Sequence, residues 1–516
     1  MLWLALHLPL LSLEAFCATL PAGAADGPVA LQGQHQLTHV NAQAAALGVQ
    51  PGHKRATALA LAPQLLLAEA APARDAAALQ AVVHAALAFT PAVTVQDALT
   101  VLLDVQASLR LFGGLHTLRQ RLGEALAPLR HRVQVAAAPT ALGAALLAQW
   151  HPRGQGDLVL GPHATQLPAL QALLDTAPVW MLGSGRDHGP ALQGMGLHTL
   201  AELRALPRAG LARRFGEGLL DELDRALGLQ PDPRRFAVLP AVFEGRLELH
   251  TRAENAEQVL HGAAVLLARL VAWAQAQHAR VGAFTLRMLH ERQRQVTAPP
   301  TELHVALAEP ALDAAHLQSL LRERLAHCQL AEPTLELRLH CQHLVAGHAP
   351  NGELFPTRAS ADEGLTRLLE RLRARLGDAQ VLRLQPVADH RPERATRAVP
   401  VQGPALSARG AAATGVDVGA ALQAGATSTL PLHRPAWLLP EPVPLATRDT
   451  QPLLQGRPLQ LVSGPERIES GWWDGAVVAR DYFIALAEDG SLVWLYRSRL
   501  PAVPGEVTWF LQGRFA

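Results

Sequence analysis

Residues 101–114 read Val-Leu-Leu-Asp-Val-Gln-Ala-Ser-Leu-Arg-Leu-Phe-Gly-Gly, and this stretch constrains the fold more than any other. Its first five residues form an apolar run suited to a strand buried on both faces. A polar break follows, then paired glycines that permit a tight turn before an arginine-rich helix. A strand feeding a glycine turn and a helix belongs to a layered α/β domain. The flanking segments agree. Leu2–Leu8, Ala98–Val105 and Val133–Ala138 are predicted strands, with helices over 75–88, 114–128 and 140–149.

The chain has 516 residues, too many for one ordinary core, so three or four domains are expected. Hydrophobic content of 49% excludes general disorder. The net charge of +1 gives no global attraction to nucleic acid, and binding of that kind has to come from local clusters. Lys54 is the only lysine, so the arginine count reflects a compositional bias before it reflects phosphate binding. Cys17, Cys328 and Cys341 form no C-x-x-C pair and no metal-ligand spacing, which points to buried thiols in a reducing compartment. Met1–Leu13 is apolar but lacks a basic start, carries Pro9 and runs into Glu14, so a core strand is expected there rather than a signal peptide. No later stretch has the uninterrupted apolar length of a membrane span, and a cytoplasmic location is expected.

The composition changes along the chain. Residues 178–236 are short helices separated by glycine turns, with Trp180-Met-Leu-Gly-Ser-Gly and the run from Leu192 to Leu200 reading as paired helix–hairpin–helix units. Residues 243–345 return to α/β alternation, with strands over Glu244–Leu249 and Gly282–Leu289 and a long helix over 256–278 between them. An Arg/Leu helix over 362–377 follows, carrying Arg367, Arg371, Arg373 and Arg375. A Pro/Gly/Ala-rich stretch from about 395 to 450 reads as a linker of low pattern. The last segment holds four of the nine tryptophans and alternates like a small β-unit, with Asp489-Gly490 as a hairpin turn signal.

This order of parts resembles the Y-family translesion DNA polymerases. Leu103-Asp-Val-Gln-Ala-Ser and Leu111-Phe-Gly-Gly resemble the palm motif, Asn41–Val49 with Pro51-Gly52 the fingers motif, and Val135-Ala-Ala-Ala-Pro-Thr the palm strand before a lysine-bearing helix. The fold class implied is α/β and α+β multidomain. Its parts are palm and fingers (1–175), a helix–hairpin–helix thumb (176–238), a little finger (239–395), a flexible linker (396–463) and a small C-terminal β-rich module (464–516).

Phosphoryl transfer needs divalent cations held by carboxylates. At the positions where the family carries those acids, this chain has Ala5, His7, Leu99 and Thr100. Where the family carries triphosphate contacts it has Ala42, Ala45 and Ala145. The resemblance therefore implies no catalytic residue, no metal site and no cofactor. Asp389-His-Arg-Pro-Glu-Arg-Ala, Arg434-Pro-Ala-Trp-Leu-Leu-Pro-Glu-Pro and Gly464-Pro-Glu-Arg-Ile-Glu-Ser-Gly-Trp-Trp-Asp-Gly make the chain most similar to the ImuB-type degenerate members. That similarity implies a damage-tolerance scaffold that binds primer–template DNA and the bacterial sliding clamp. It also implies an error-prone C-family DNA polymerase and a RecA-like ImuA protein as partners, with no membrane role. Two alternatives stay open: an active polymerase with Asp97 and Asp104 as displaced metal ligands, and a general DNA-binding repair adaptor.

Three surfaces are candidates. Asn351, Glu353, Leu354 and Phe355 resemble a clamp-binding peptide with two apolar anchors, or else pin a loop to its own domain. Arg204, Arg208, Arg213 and Arg214 around Gly210 and Gly216, and Arg280, Arg287, Arg292 and Arg294 with only Glu291 opposing them, are DNA-backbone candidates or solvated surface charge. Of Trp472, Trp473, Tyr482, Trp494 and Trp509, most have to be core in so short a unit. The adjacent Trp472-Trp473 pair, on a strand, would send one ring outward as a partner anchor.

Overall fold

A computed structural model describes residues 1–150, 156–291, 299–330, 332–347, 358–401, 434–435, 437–500 and 508–515. The chain divides into two compact units, Met1–Arg375 and Leu376–Ala516.

The first unit opens on a five-stranded sheet. Its strands are β1 (Trp3–His7), β2 (Val93–Asp97), β3 (Thr100–Asp104), β4 (Val133–Ala138) and β5 (Leu158–His163), in the order β2-β3-β1-β4-β5. The three predicted strands lie at its centre, and β2 and β5 complete the edges. Alternation along β1 splits the core in two. Leu4 and Leu6 enter a cluster with α1 (Leu11–Cys17), α2 (Pro72–Leu87) and α3 (Leu115–Leu126). Trp3 and Ala5 enter another with α4 (Ala141–Trp150) and the short helices that follow. The Leu-Phe-Gly-Gly turn ends at Gly113 and Gly114, whose φ values of 74° and 109° explain why glycine stands there. A separate three-stranded sheet formed by Val29–Gln32, Leu37–Val40 and Leu66–Glu69 has its own small core.

Residues 183–227 fold as the expected series of short helices, ending in α5 (Arg208–Phe215) and α6 (Glu217–Leu227). Next comes a four-stranded antiparallel sheet of β6 (Phe243–Ala253), β7 (Ala279–His290), β8 (Thr301–Ala311) and β9 (Thr334–Ala346), in the order β8-β7-β9-β6. It packs against α7 (Ala256–Ala276) and α8 (Ala314–Ala326) around Trp273, which is fully buried and donates its indole N–H to the Pro240 carbonyl at 2.9 Å. By length and composition α7 does reach that of a membrane span, against the expectation from sequence. It is a core helix, with 67% of its most apolar window buried. The Arg/Leu helix α9 (Arg358–Leu376) is held by Glu370, which accepts from His316 Nε2 at 2.7 Å and from the Ala308 and Glu309 N–H groups. Of the three thiols, only Cys341 is buried; burial pushes it up to about 11.

In the second unit, 382–386 and 396–400 form a two-stranded hairpin. A seven-stranded sheet follows: β10 (Trp437–Arg448), β11 (Gln451–Leu454), β12 (Arg457–Pro458), β13 (Gln460–Ser470), β14 (Val478–Leu486), β15 (Leu492–Ser498) and β16 (Trp509–Arg514), in the order β12-β11-β10-β16-β15-β14-β13. This corrects the linker expected over 396–463. Residues 396–400 pair in the hairpin and 437–463 supply strands, so the β-rich unit begins well before Gly464. Pro440 and Pro442 obscured β10, and they fall in the irregular stretch between Leu438 and Val443 where the ladder skips.

Candidate functional site

Strand register decides what the positions of the missing acids can do. His7 lies opposite Thr100, and Ala5 lies between Leu102 and Ala136. Ala5 has no solvent exposure, and Ala145, on the helix above, is also buried. Neither side chain is open to solvent. The His7 imidazole meets the Thr100 hydroxyl at 3.0 Å, and burial lowers its pKa against the opposing pull of Asp97. Asp97 accepts from the Leu99 N–H at 2.8 Å and Asp104 from the Gln106 N–H at 3.1 Å, so each carboxylate caps its own turn. Asp97 is paired with Thr100, while Asp104 is four residues further along the same strand, opposite Trp3. At about 3.3 Å per residue the two lie roughly 13 Å apart along the sheet. They do not share a site. Among the described residues, no group of three or more His, Cys, Asp or Glu side chains is arranged to hold a metal ion.

In the fingers-like segment, Asn41 caps the helix Ala42–Ala46. Its Oδ1 accepts from the Ala44 N–H at 2.9 Å and the Val29 N–H at 3.0 Å. Ala42 and Ala45 are exposed methyl groups on that helix.

The chain is 30% identical over 491 residues to Protein ImuB of Caulobacter vibrioides, strain NA1000/CB15N, covering 91% of this chain and all of that one; the same protein from strain ATCC 19089 matches equally. The chain belongs to the ImuB family. The impB/mucB/samB family model matches residues 14–149. Solved structures with a similar path include an insertion ternary complex of Dbh DNA polymerase (16% identity, TM-score 0.38) and DinB from Sulfolobus solfataricus (15% identity, TM-score 0.36). Each covers 67% of this chain and the whole of the other. As an ImuB relative the chain has mixed α/β content followed by a C-terminal β-rich region.

The arginine candidates of this ImuB relative divide by their partners. Arg204 is paired with Asp175, and Arg208 holds the buried Asp224 through two bonds of 3.0 and 2.5 Å. Both are occupied within the fold. Arg213 and Arg214 are exposed on α5, and Arg214 lies 5.6 Å from the Phe215 ring. Arg287 pairs with Glu302 across β7 and β8 at 2.6 Å, and Glu291 is engaged by Arg252 at 3.5 Å. Arg280 is half-buried. Arg292 and Arg294 lie outside the described residues, as do Asn351, Glu353, Leu354 and Phe355. The hairpin N–H groups are also spent internally. Those of Gly183 and Ser184 bind the Glu222 carboxylate at 2.8 and 3.1 Å, and those of Gly210 and Gly216 bind the Pro207 and Ala212 carbonyls.

Trp472 and Trp473 are not on a strand. They occupy the turn between β13 and β14, where both rings are exposed (71% and 54%) and meet edge-to-face at 4.7 Å. Below them lies a charge cluster that sequence reading missed. The buried Arg391 donates to Asp389, to Asp474 at 2.7 and 3.0 Å and to the Ala476 carbonyl, with its guanidinium 5.5 Å from the Trp473 ring. Arg394 also reaches Asp474 at 2.6 Å. Two segments noted separately in the sequence, Asp389-His-Arg-Pro-Glu-Arg and Gly471-Trp-Trp-Asp-Gly, thus form one cluster. The remaining aromatics are core: Tyr482 stacks on Trp494 at 4.2 Å and donates its hydroxyl to Gln512.

Proposed function

We propose that this ImuB relative is a non-catalytic, polymerase-like scaffold of translesion synthesis, acting in the cytoplasm. It holds primer–template DNA and the sliding clamp while an error-prone C-family polymerase, with a RecA-like ImuA protein, carries out synthesis. Residues 1–175 act as palm and fingers, 176–238 as thumb and 239–375 as little finger; 376–395, expected in the little finger, belong to the second unit. The observation that carries this reading is the closed ground around Ala5. Two of the expected acid and phosphate positions are sealed in apolar core, His7 is bonded to Thr100, and Asp97 and Asp104 stand far apart.

In this reading DNA is held by Arg213 and Arg214, whose exposed guanidinium groups supply sequence-independent, salt-sensitive affinity. An R213A/R214A double variant is expected to bind primer–template roughly tenfold more weakly, with the salt slope reduced by about 2 and unfolding unchanged. R208A is expected to do the reverse, lowering the unfolding temperature with little loss of affinity, because it strands the buried Asp224. Fluorescence anisotropy at several salt concentrations, beside thermal melts, separates the two. Loss of affinity in R208A alone would reverse the assignment.

Clamp binding rests on Leu354 and Phe355 as paired apolar anchors. An L354A/F355A variant of the full chain is expected to bind immobilised clamp at least about a hundredfold more weakly while keeping its DNA affinity. Equal clamp affinity would remove this peptide from the account and favour a DNA adaptor without clamp contact. Trp472 and Trp473 are the proposed anchors for a protein partner.

A further inference from the structure

Arg269 interrupts an otherwise apolar helix run, Val265-Leu-Leu-Ala-Arg-Leu-Val-Ala-Trp, and the fold gives it no counter-charge. It is 6% exposed and has neither a hydrogen bond nor an ion pair with any described residue. Burial lowers its pKa to about 10, which still leaves it protonated at neutral pH. Removing a guanidinium from water without a partner is costly, and an apolar side chain of similar volume would serve a core better.

The guanidinium does not end in packed core. Arg269 lines a cavity of about 390 Å³ between the end of α1, the start of α2 and strand β6. Phe16, Thr19, Arg74, Arg246 and His250 share that lining. The Nε of Arg74 faces the Asp75 carboxylate at 3.6 Å, its Nη2 donates to the Glu69 carbonyl, and its guanidinium lies 5.2 Å from the Phe16 ring. Arg246 is held by Glu336 at 2.7 Å on the opposite side. Thr19 spends its hydroxyl on the Phe16 carbonyl, and the His250 ring meets Phe16 edge-on at 5.1 Å. Glu248 is the one carboxylate of the lining, and it is largely exposed. The walls therefore offer the uncompensated guanidinium of Arg269, with Arg74 beside it shared with Asp75.

We propose that this cavity binds a small phosphate monoester of nucleotide size, with Arg269 as the principal anchor and Arg74 as a second donor. A tetrahedral phosphate presents several acceptor oxygens to donors arriving from different elements, and a guanidinium meets two of them at once. The volume lies in the range of small-ligand sites, roughly 300–1,000 Å³, and exceeds what a bare phosphate ion fills. None of the lining residues is among the DNA or clamp candidates above.

The test is isothermal titration of the full-length chain with inorganic phosphate, dAMP, adenosine and citrate, at constant ionic strength. Saturable binding is expected for phosphate and dAMP, with dAMP the tighter of the two and adenosine without effect. An R269M variant with an unchanged circular dichroism spectrum is expected to lose at least tenfold in affinity for both. An R269K variant, which keeps the charge and loses the fork, is expected to lose severalfold, and it serves if R269M does not fold. No saturable binding of phosphate or dAMP by the wild type, binding of citrate alone, or undiminished affinity in the Arg269 variants would overturn the proposal.

Discussion

An A5D variant is expected to be destabilised by at least about 4 kcal/mol and to gain no nucleotidyl transfer. Ala5 is the position at which a polymerase of this layout needs its first metal-binding acid, so the substitution restores that residue type. The surroundings do not accept it. Ala5 is fully buried in a cluster with Trp3, Leu102, Ala136, Ala144 and Ala145, where small side chains let β1 and α4 approach closely. A carboxylate there has no cation and no N–H donor to meet, because the strand's own N–H groups are used in pairing with β3 and β4. Urea unfolding of the variant measures the cost. A variant of wild-type stability would show that the position opens to solvent, and the sealed-core argument would then fail.

R391A is expected to lower the unfolding temperature of the C-terminal unit by roughly 10 °C. Arg391 is the buried cation between Asp389 and Asp474; its removal takes the guanidinium from both carboxylates and from the Ala476 carbonyl, leaving Asp474 to Arg394 and the Ala476 N–H and Asp389 to a backbone N–H. The same contacts predict a pH dependence. Bonds from Arg391 hold Asp389 below the ordinary carboxylate range and bring Asp474 down to about 2. Both native pKa values are depressed, so the unfolded chain binds more protons on acidification. The stabilisation is complete above about pH 4, the unfolded value, and is lost as pH falls towards 2. The Trp473 ring lies beside Arg391, so the part of the tryptophan fluorescence that a W473F substitution removes is a local readout. In R391A the acid transition between pH 4 and 2 should be largely gone; an unchanged transition would place its origin elsewhere.

Much of the N-terminal sheet was legible because β1, β3 and β4 are apolar runs buried on both faces. Their predicted ends lie within two residues of those observed. The edge strand β2, Val-Thr-Val-Gln-Asp, carries too short an alternation to stand out. The small sheet around Val29–Gln32 was missed for the same reason. In the C-terminal unit, the proline spacing of 437–444 reads as a linker, and only the skipped ladder positions make it a strand. The candidate surfaces were legible in residue type and not in availability. Arg204 and Arg208 looked as free as Arg213 and Arg214, because Asp175 and Asp224 lie 29 and 16 residues away and no local pattern announces the pairing. The Arg391–Asp474 contact spans 83 residues. Arg269 did carry a signal, a single cation inside an apolar helix run, but sequence cannot tell a snorkelling arginine from one aimed into a cavity.

In the proposed function this ImuB relative does not perform nucleotidyl transfer. Primer extension by the purified full-length chain, with all four deoxynucleoside triphosphates and Mg²⁺ or Mn²⁺, tests it most directly. The expected result is no incorporation above a no-protein control with either cation, at protein concentrations where anisotropy shows the primer–template bound. Distributive synthesis that disappears in a D97N/D104N variant would contradict the account and make the chain an active polymerase.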